Sequence, residues 1–187
     1  REFVYLMMNK PQNCLSAIRD RDYRTVIDLL DDYYLMFDVA PAGRLDRDTE
    51  GLVLLTNDGK LAHEIISPKK DVFKRYVAHV TGELTDVSIN QLEAGVEILD
   101  GNNDAFMTKP AKVKVLGPVD DLTAVEICIT EGKFHQVKRM FASVGCKVVY
   151  LKRLAIGGLE LDESLALGEY RELTDKELDC LKAEATH

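Results

Sequence analysis

Gly43-Arg44-Leu45-Asp46-Arg47-Asp48-Thr49-Glu50-Gly51-Leu52-Val53-Leu54-Leu55-Thr56-Asn57-Asp58-Gly59 is the most informative stretch of the chain. Leu52 to Thr56 is short and apolar on both faces, the pattern of a buried strand. Asn57-Asp58-Gly59 is a turn signal. Lys60 to Ile66 then reads as a helix, stopped by Ser67-Pro68. Pro41-Ala42-Gly43 breaks the chain upstream, so Asp46 falls in a turn between Arg44 and Arg47, directly before the buried strand. Rigid scaffolds place reactive side chains on such loops. Neighbouring guanidinium groups keep a carboxylate ionised, and an ionised, fixed Asp can act as a nucleophile or a base. The plainer reading is a turn whose Asp bonds its own backbone, and residue chemistry alone favours it. Asp46, Asp48, Glu50 and Gly51 also imitate the opening of a calcium loop. Asn57 stands where that loop needs a bidentate Glu, and Arg47 adds positive charge, so the sequence argues against calcium.

Working outward, Phe3 to Met8 reads as a strand ended by Asn9-Lys10-Pro11, because proline cannot continue a ladder. Tyr23 to Leu30 is predicted to be a short helix with Val26, Leu29 and Leu30 on one side. Arg75 to Thr81 is strand-like. Thr85 or Asp86 caps a predicted helix carrying Val87, Ile89, Leu92 and Val96, with Gly95 near its end. Val113 and Val115 alternate with lysines, and Val125, Ile127 and Ile129 alternate with Glu126 and Cys128; both patterns are half-buried strands. Phe134, Val137, Phe141 and Val144 form one helix face, with Gly145 at its C-terminal end. Thr174 and Glu177 fit a capping box opening a final helix. Strands and helices alternate without a regular beat, and there is no GxGxxG and no P-loop lysine motif. The predicted class is α+β with a mixed, largely antiparallel sheet and flanking helices.

The 187 residues suit one domain, or two small lobes sharing a core. Hydrophobic residues make up 46% and charged residues 30%, the balance of a globular protein rather than a disordered or fibrous one. No apolar run approaches the roughly 20 residues a bilayer requires, and no secretory signal is visible. The net charge of −8 weighs against unspecific nucleic-acid binding. Its distribution says more. Glu131 to Arg153 holds six bases (Lys133, Lys138, Arg139, Lys147, Lys152 and Arg153) against one acid. Lys60 to Arg75 holds five bases against two acids, and the last 28 residues hold nine acids against three bases. Basic central segments beside an acidic tail can present a basic cleft to phosphates; from charge alone, scattered solvated charge is the simpler reading. Cys14, Cys128, Cys146 and Cys180 form no CxxC pair and no zinc spacing, which suits a reduced, cytoplasmic protein.

Gly43-Arg44-Leu45-Asp46, then Thr49, Gly51-Leu52 and Thr56-Asn57-Asp58-Gly59, resembles the signature of RNA pseudouridine synthases, in the form of the RsuA/RluB branch that modifies ribosomal RNA. Further segments match in the expected order. They are Tyr5-Leu6-Met7-Met8-Asn9-Lys10-Pro11, Phe73-Lys74-Arg75-Tyr76-Val77, and Glu131-Gly132-Lys133-Phe134-His135-Gln136-Val137-Lys138-Arg139-Met140. The resemblance runs from about Phe3 to Leu173. It implies the family's catalytic fold over residues 1–187, with a central RNA-binding cleft. It implies isomerisation of one uridine in RNA to pseudouridine, a reaction for which no cofactor and no metal are expected. By resemblance Asp46 is the catalytic Asp. Tyr76 is the active-site aromatic that stacks on the target base, and Lys138 is the basic residue paired with the Asp. Arg44 matches an arginine that contacts RNA, and Lys74, Arg75, Gln136 and Arg139 are expected to join it as RNA-binding residues. Without that context Tyr76 reads as an ordinary strand aromatic, and Lys138 as a solvated helix lysine.

The third motif departs from the family in carrying Gly132-Lys133 where Gly-Arg is common, so Lys133 is not expected to be essential. The small N-terminal RNA-binding domain usual in the family is missing, which suggests a trimmed chain. His135 to Met140 and Thr108-Lys109-Pro110-Ala111 resemble the enzyme acting on small-subunit ribosomal RNA, whereas large-subunit relatives more often show Asn-Arg at Phe134-His135. The expected partner is therefore small-subunit ribosomal RNA or an assembly intermediate, with no membrane, and the expected state is a monomer. The rivals are a large-subunit enzyme of the same branch, a non-catalytic RNA-binding module, and a calcium-binding or protein-interaction domain.

Overall fold

The computed structural model describes residues 2–133 and 135–186. Phe134, which the sequence places on an apolar helix face, lies outside them, so that part of the expectation has no structural counterpart. The chain forms two compact units, residues 1–72 with 153–187, and residues 73–152.

The first unit holds β1 (Tyr5–Lys10), α1 (Asp32–Leu35), β2 (Ala40–Pro41), β3 (Glu50–Thr56) and α2 (Gly59–Ile66). The second holds β4 (Lys74–Thr81), α3 (Asp86–Ala94), β5 (Glu97–Leu99), β6 (Ala105–Met107), β7 (Lys112–Val119), β8 (Leu122–Ile129) and α4 (Gln136–Ser143). Strand β9 (Lys147–Ile156) leads the chain back, and β10 (Leu159–Glu160), β11 (Tyr170–Glu172) and α5 (Asp175–Thr186) complete the first unit. The class is α+β, as the sequence predicts.

In the first unit β1 pairs antiparallel with both β3 and β11, β2 with β3, and β10 with β9. Leu52 to Leu55 are wholly buried, the outcome expected of a strand apolar on both faces. Leu52 and Leu54 join Met7, Ile65, Ile156 and Leu181 in one core cluster. Asp58 caps α2, its carboxylate accepting from the Leu61 amide at 3.2 Å. The same carboxylate accepts from the Tyr5 hydroxyl at 2.6 Å. Burial, together with that bond, pushes the Tyr5 phenol up to about 12. The capping box of α5 forms as read: the Glu177 amide donates to Thr174 Oγ1 at 3.1 Å, and the Thr174 amide donates to Glu177 Oε1 at 2.9 Å.

Two expectations are corrected here. β1 runs on through Asn9 and Lys10, which pair with Leu52 and Gly51, before Pro11 stops it. The helix predicted over Tyr23 to Leu30 is not formed; only a 3-10 turn at Ile27–Leu29 is present. Leu15 donates to the Arg24 carbonyl and accepts from the Val26 amide, both at 2.9 Å, so the backbone bonds a helix would use are spent on a β-bridge. Thr25, the bridge partner of Leu15, is β-branched, which suits its extended arrangement.

In the second unit β8 pairs antiparallel with β4 and β7, and β5 with β6. Val125, Ile127 and Ile129 enter the core with Val137, Met140 and Phe141 of α4. Thr85 caps α3, accepting from the Ser88 amide at 3.1 Å. Gly145 takes φ +85° just beyond α4, a conformation that favours glycine.

Among the described residues no helix is long and apolar enough to cross a membrane. Nor do three or more His, Cys, Asp or Glu side chains there form a group that could hold a metal ion.

Candidate active site

Asp46 sits half-buried in a turn closed by its own main chain: the Thr49 amide donates to the Asp46 carbonyl at 3.0 Å. The residues on either side are bolted down. Ser16, buried, accepts from the Leu45 amide at 3.1 Å and donates to the Leu45 carbonyl at 3.2 Å. Lys10, wholly buried, donates from Nζ to the carbonyls of Cys14 at 2.7 Å, Pro11 at 2.8 Å and Arg47 at 3.1 Å. A loop held through its main chain on both sides of one carboxylate fixes where that carboxylate points. Burial lowers the Lys10 ammonium to about 8, against the opposing pull of Asp48, Asp46 and Glu50. Arg44 is exposed, and the Arg47 guanidinium lies 4.4 Å from the Tyr23 ring centroid.

The end of the motif is structural. Asn57 accepts from the Val4 amide at 2.8 Å and donates to the carbonyls of Glu2 and Phe37, both at 3.0 Å. Asp58 caps α2, so Asn57-Asp58 ties the start of β1 to the end of β3.

The other candidates lie in the second unit. Tyr76 is half-buried and packs against the core of that unit. Alternation along β4 puts Lys74 on the same face as Tyr76 and Arg75 on the opposite one. Lys74 Nζ donates to the Thr130 carbonyl at 3.4 Å, while Arg75 reaches Glu126 on β8 at 3.4 Å. Lys74-Arg75-Tyr76 therefore does not converge on a single surface. Lys138 is half-buried in the first turn of α4, beside the buried Val137. Gln136 is 3% exposed, with both ends of its amide engaged inside the unit. Arg139 Nη1 donates to the carbonyls of Leu99 and Asp100. Gln136 and the Nη1 of Arg139, both in side chains expected to contact RNA, are thus engaged with protein groups that their sequence neighbours do not reveal. Lys133 rests over the Phe106 ring at 4.6 Å.

The sequence model of the RNA pseudouridylate synthase family matches residues 4–143. The chain belongs to that family. It is 52% identical over 181 residues to the RNA pseudouridine synthase YtzG of Bacillus subtilis, a match covering 97% of this chain and 74% of that one. It is 44% identical over 174 residues to the ribosomal small subunit pseudouridine synthase A of Escherichia coli, covering 93% of this chain and 72% of the relative. A crystal structure of a pseudouridylate synthase superposes with a TM-score of 0.83 at 44% identity, over 96% of this chain and 74% of that chain. The RsuA-type resemblance read from the sequence motifs is therefore correct, and the protein is an RNA pseudouridine synthase.

Sequence reading missed Lys10 and Ser16, which hold the synthase's Asp46 loop, and Arg153, which supports the strand β3 behind it. In the sequence Lys10 reads as a strand end within the first matching segment, with no sign that it is buried, and Ser16 carries no signal at all. Arg153 was counted among surface bases, yet it is 4% exposed, with Nε donating to the Leu52 carbonyl at 2.9 Å and Nη2 without a partner among the described residues. Gly51 takes φ +112°, and a Cβ there would collide with the Arg153 backbone. Gly51→Ala is therefore expected to destabilise the synthase by about 3 kcal/mol or more, since strain and overpacking add. Chemical denaturation should read this as a fall in midpoint with an unchanged slope.

Proposed function

We propose that the synthase isomerises a single uridine in small-subunit ribosomal RNA, with Asp46, Tyr76 and Lys138 as its catalytic residues. The observation that carries this reading is the rigid presentation of Asp46, whose neighbours Leu45 and Arg47 are held by Ser16 and Lys10. The 44% identity to the ribosomal small subunit pseudouridine synthase A of Escherichia coli supports the choice of RNA. The reaction breaks the N-glycosidic bond, turns the uracil, and forms a carbon–carbon bond to the ribose, with no net change in atoms. Asp46 supplies the carboxylate, whether it attacks the sugar or removes a ribose proton; both require it ionised. The Tyr76 ring offers a flat face for the uracil and a hydroxyl that can relay a proton. Lys138 supplies the cation that the third sequence motif brings to the reaction. Arg44, exposed on the loop beside Asp46, contributes a planar guanidinium to RNA phosphates or bases. The target must leave its stack, at a cost of about a few kcal/mol that is smaller in an unpaired region. We place the enzyme in the cytoplasm, acting as a monomer.

The test is incubation of the protein with pseudouridine-free small-subunit and large-subunit ribosomal RNA, followed by chemical mapping. One new pseudouridine, in the small-subunit RNA alone, is expected. Product confined to the large-subunit RNA would overturn the assignment. Tight RNA binding with no product in either would favour the binding-module reading.

A further inference from the structure

We propose that Gln136 and Arg139 are positioning residues that brace the first turn of α4, the turn carrying Lys138, and that their side chains do not bind RNA. The inference rests on the proposed role of Lys138. Helix α4 begins without a side-chain cap: His135, at its N-terminus, sits at φ +50° and caps no amide of the first turn with its side chain. The first turn is instead secured from inside. The Lys133 amide donates to Gln136 Oε1 at 3.1 Å, and Gln136 Nε2 donates to Glu131 Oε1 at 3.0 Å. Glu131, 7% exposed, accepts from the Lys109 amide on both carboxylate oxygens, at 3.0 and 3.1 Å. Lys109 follows Thr108, which is itself locked: its amide donates to the Val96 carbonyl and its hydroxyl accepts from the Val96 amide, both at 2.9 Å. One chain of bonds, buried at its Gln136–Glu131 link, thus runs from the end of α3 to the start of α4.

The opposite side is held as well. Arg139 Nη1 donates to the Leu99 and Asp100 carbonyls in the turn between β5 and β6. Asp100 stiffens that turn by accepting from the amides of Asn102 at 2.8 Å and Asp104 at 3.0 Å. Lys138 therefore sits between two side chains that each anchor its helix to a different, locally rigid segment. A group whose rotamer and backbone are set this way is the requirement for precise placement of a reactive cation. An RNA contact makes the opposite demand, a donor available to phosphate or base, and Gln136 has neither exposure nor an idle carbonyl.

Steady-state kinetics on target RNA, RNA Kd as a function of salt, and hydrogen exchange would be measured for wild type, Gln136→Met, Gln136→Glu, Arg139→Lys and Lys138→Met. Gln136→Met and Arg139→Lys are expected to lower kcat about 10-fold or more with Kd and its salt slope unchanged, while the α4 amides exchange faster. Gln136→Glu replaces the donating Nε2 with a second carboxylate beside Glu131 and so removes the Gln136–Glu131 bond. Its kcat is expected to fall at least as far as that of Gln136→Met, with Kd unchanged. A raised Kd with a salt slope reduced by about one, the mark of a lost phosphate contact, would overturn the proposal. So would wild-type kcat in the variants. If Lys138→Met keeps wild-type kcat, the role of Lys138 falls and the catalytic purpose of the brace with it; faster α4 exchange in Gln136→Met would show that the brace itself exists.

Discussion

Asp46→Asn is expected to reduce pseudouridine formation about 10⁴-fold, equivalent to about 5.5 kcal/mol of transition-state stabilisation. The substitution is nearly isosteric. The turn around it is closed by the Asp46 main-chain carbonyl, and its flanks are held by Ser16 and Lys10, so none of these bonds depends on the carboxylate. Folding and RNA affinity should therefore be unchanged within a factor of about two, and the whole effect should fall on kcat, the pattern of an interaction made only in the transition state. The amide lacks the charge to attack the sugar and the basicity to remove a proton. Single-turnover formation of pseudouridine, beside a filter-binding Kd and a thermal melt, checks each part. A variant within 10-fold of wild type would remove Asp46 from the chemistry; a variant with lost RNA binding would make it a binding residue.

Lys10→Met is expected to lower stability by about 2–4 kcal/mol at neutral pH. The variant keeps the length and apolar stem of the side chain but leaves three carbonyls without their Nζ donor, at about 1–3 kcal/mol for each that stays unsatisfied. Removing a buried ammonium offsets part of that loss. The pH dependence separates the two contributions. Burial lowers Lys10 from 10.5 to about 8, so between these values the unfolded chain holds a proton that the folded chain does not. Raising the pH through that window disfavours unfolding. Wild-type stability relative to Lys10→Met is therefore expected to rise from about pH 8 to about pH 10.5, and to be flat below pH 7. Denaturation midpoints across that range measure it, and a difference that falls with pH would contradict the buried, depressed ammonium. Because Lys10 also holds the Arg47 carbonyl, kcat should drop in the folded variant.

Much of the architecture was legible along the chain because the forces that set it are local. Leu52 to Leu55 had to be interior, since no face of that strand offers water a polar group. Asp58, Thr85 and the Thr174–Glu177 pair cap their helices within three residues of themselves. The motif around Asp46 was likewise visible, because its turn and the strand behind it are contiguous. Tyr23 to Leu30 misled, since its apolar spacing suits a helix while its backbone bonds are claimed by Leu15.

What tertiary structure alone decided is the direction in which the polar side chains face. Lys10 meets the Arg47 carbonyl across 37 positions, and Arg139 meets Leu99 across 40. Glu131 meets the Lys109 amide across 22. A lysine, an arginine or a glutamine in a sequence is equally fit for water, RNA or a buried carbonyl, and its own neighbours do not choose among them. The choice is made by main-chain groups delivered from distant segments, which must be satisfied once buried. The sequence by itself therefore determined the family, the strands and the residue types of the site. Folding determined which charged and amide groups face inward, because desolvation is tolerated only where a partner has been brought within hydrogen-bonding distance.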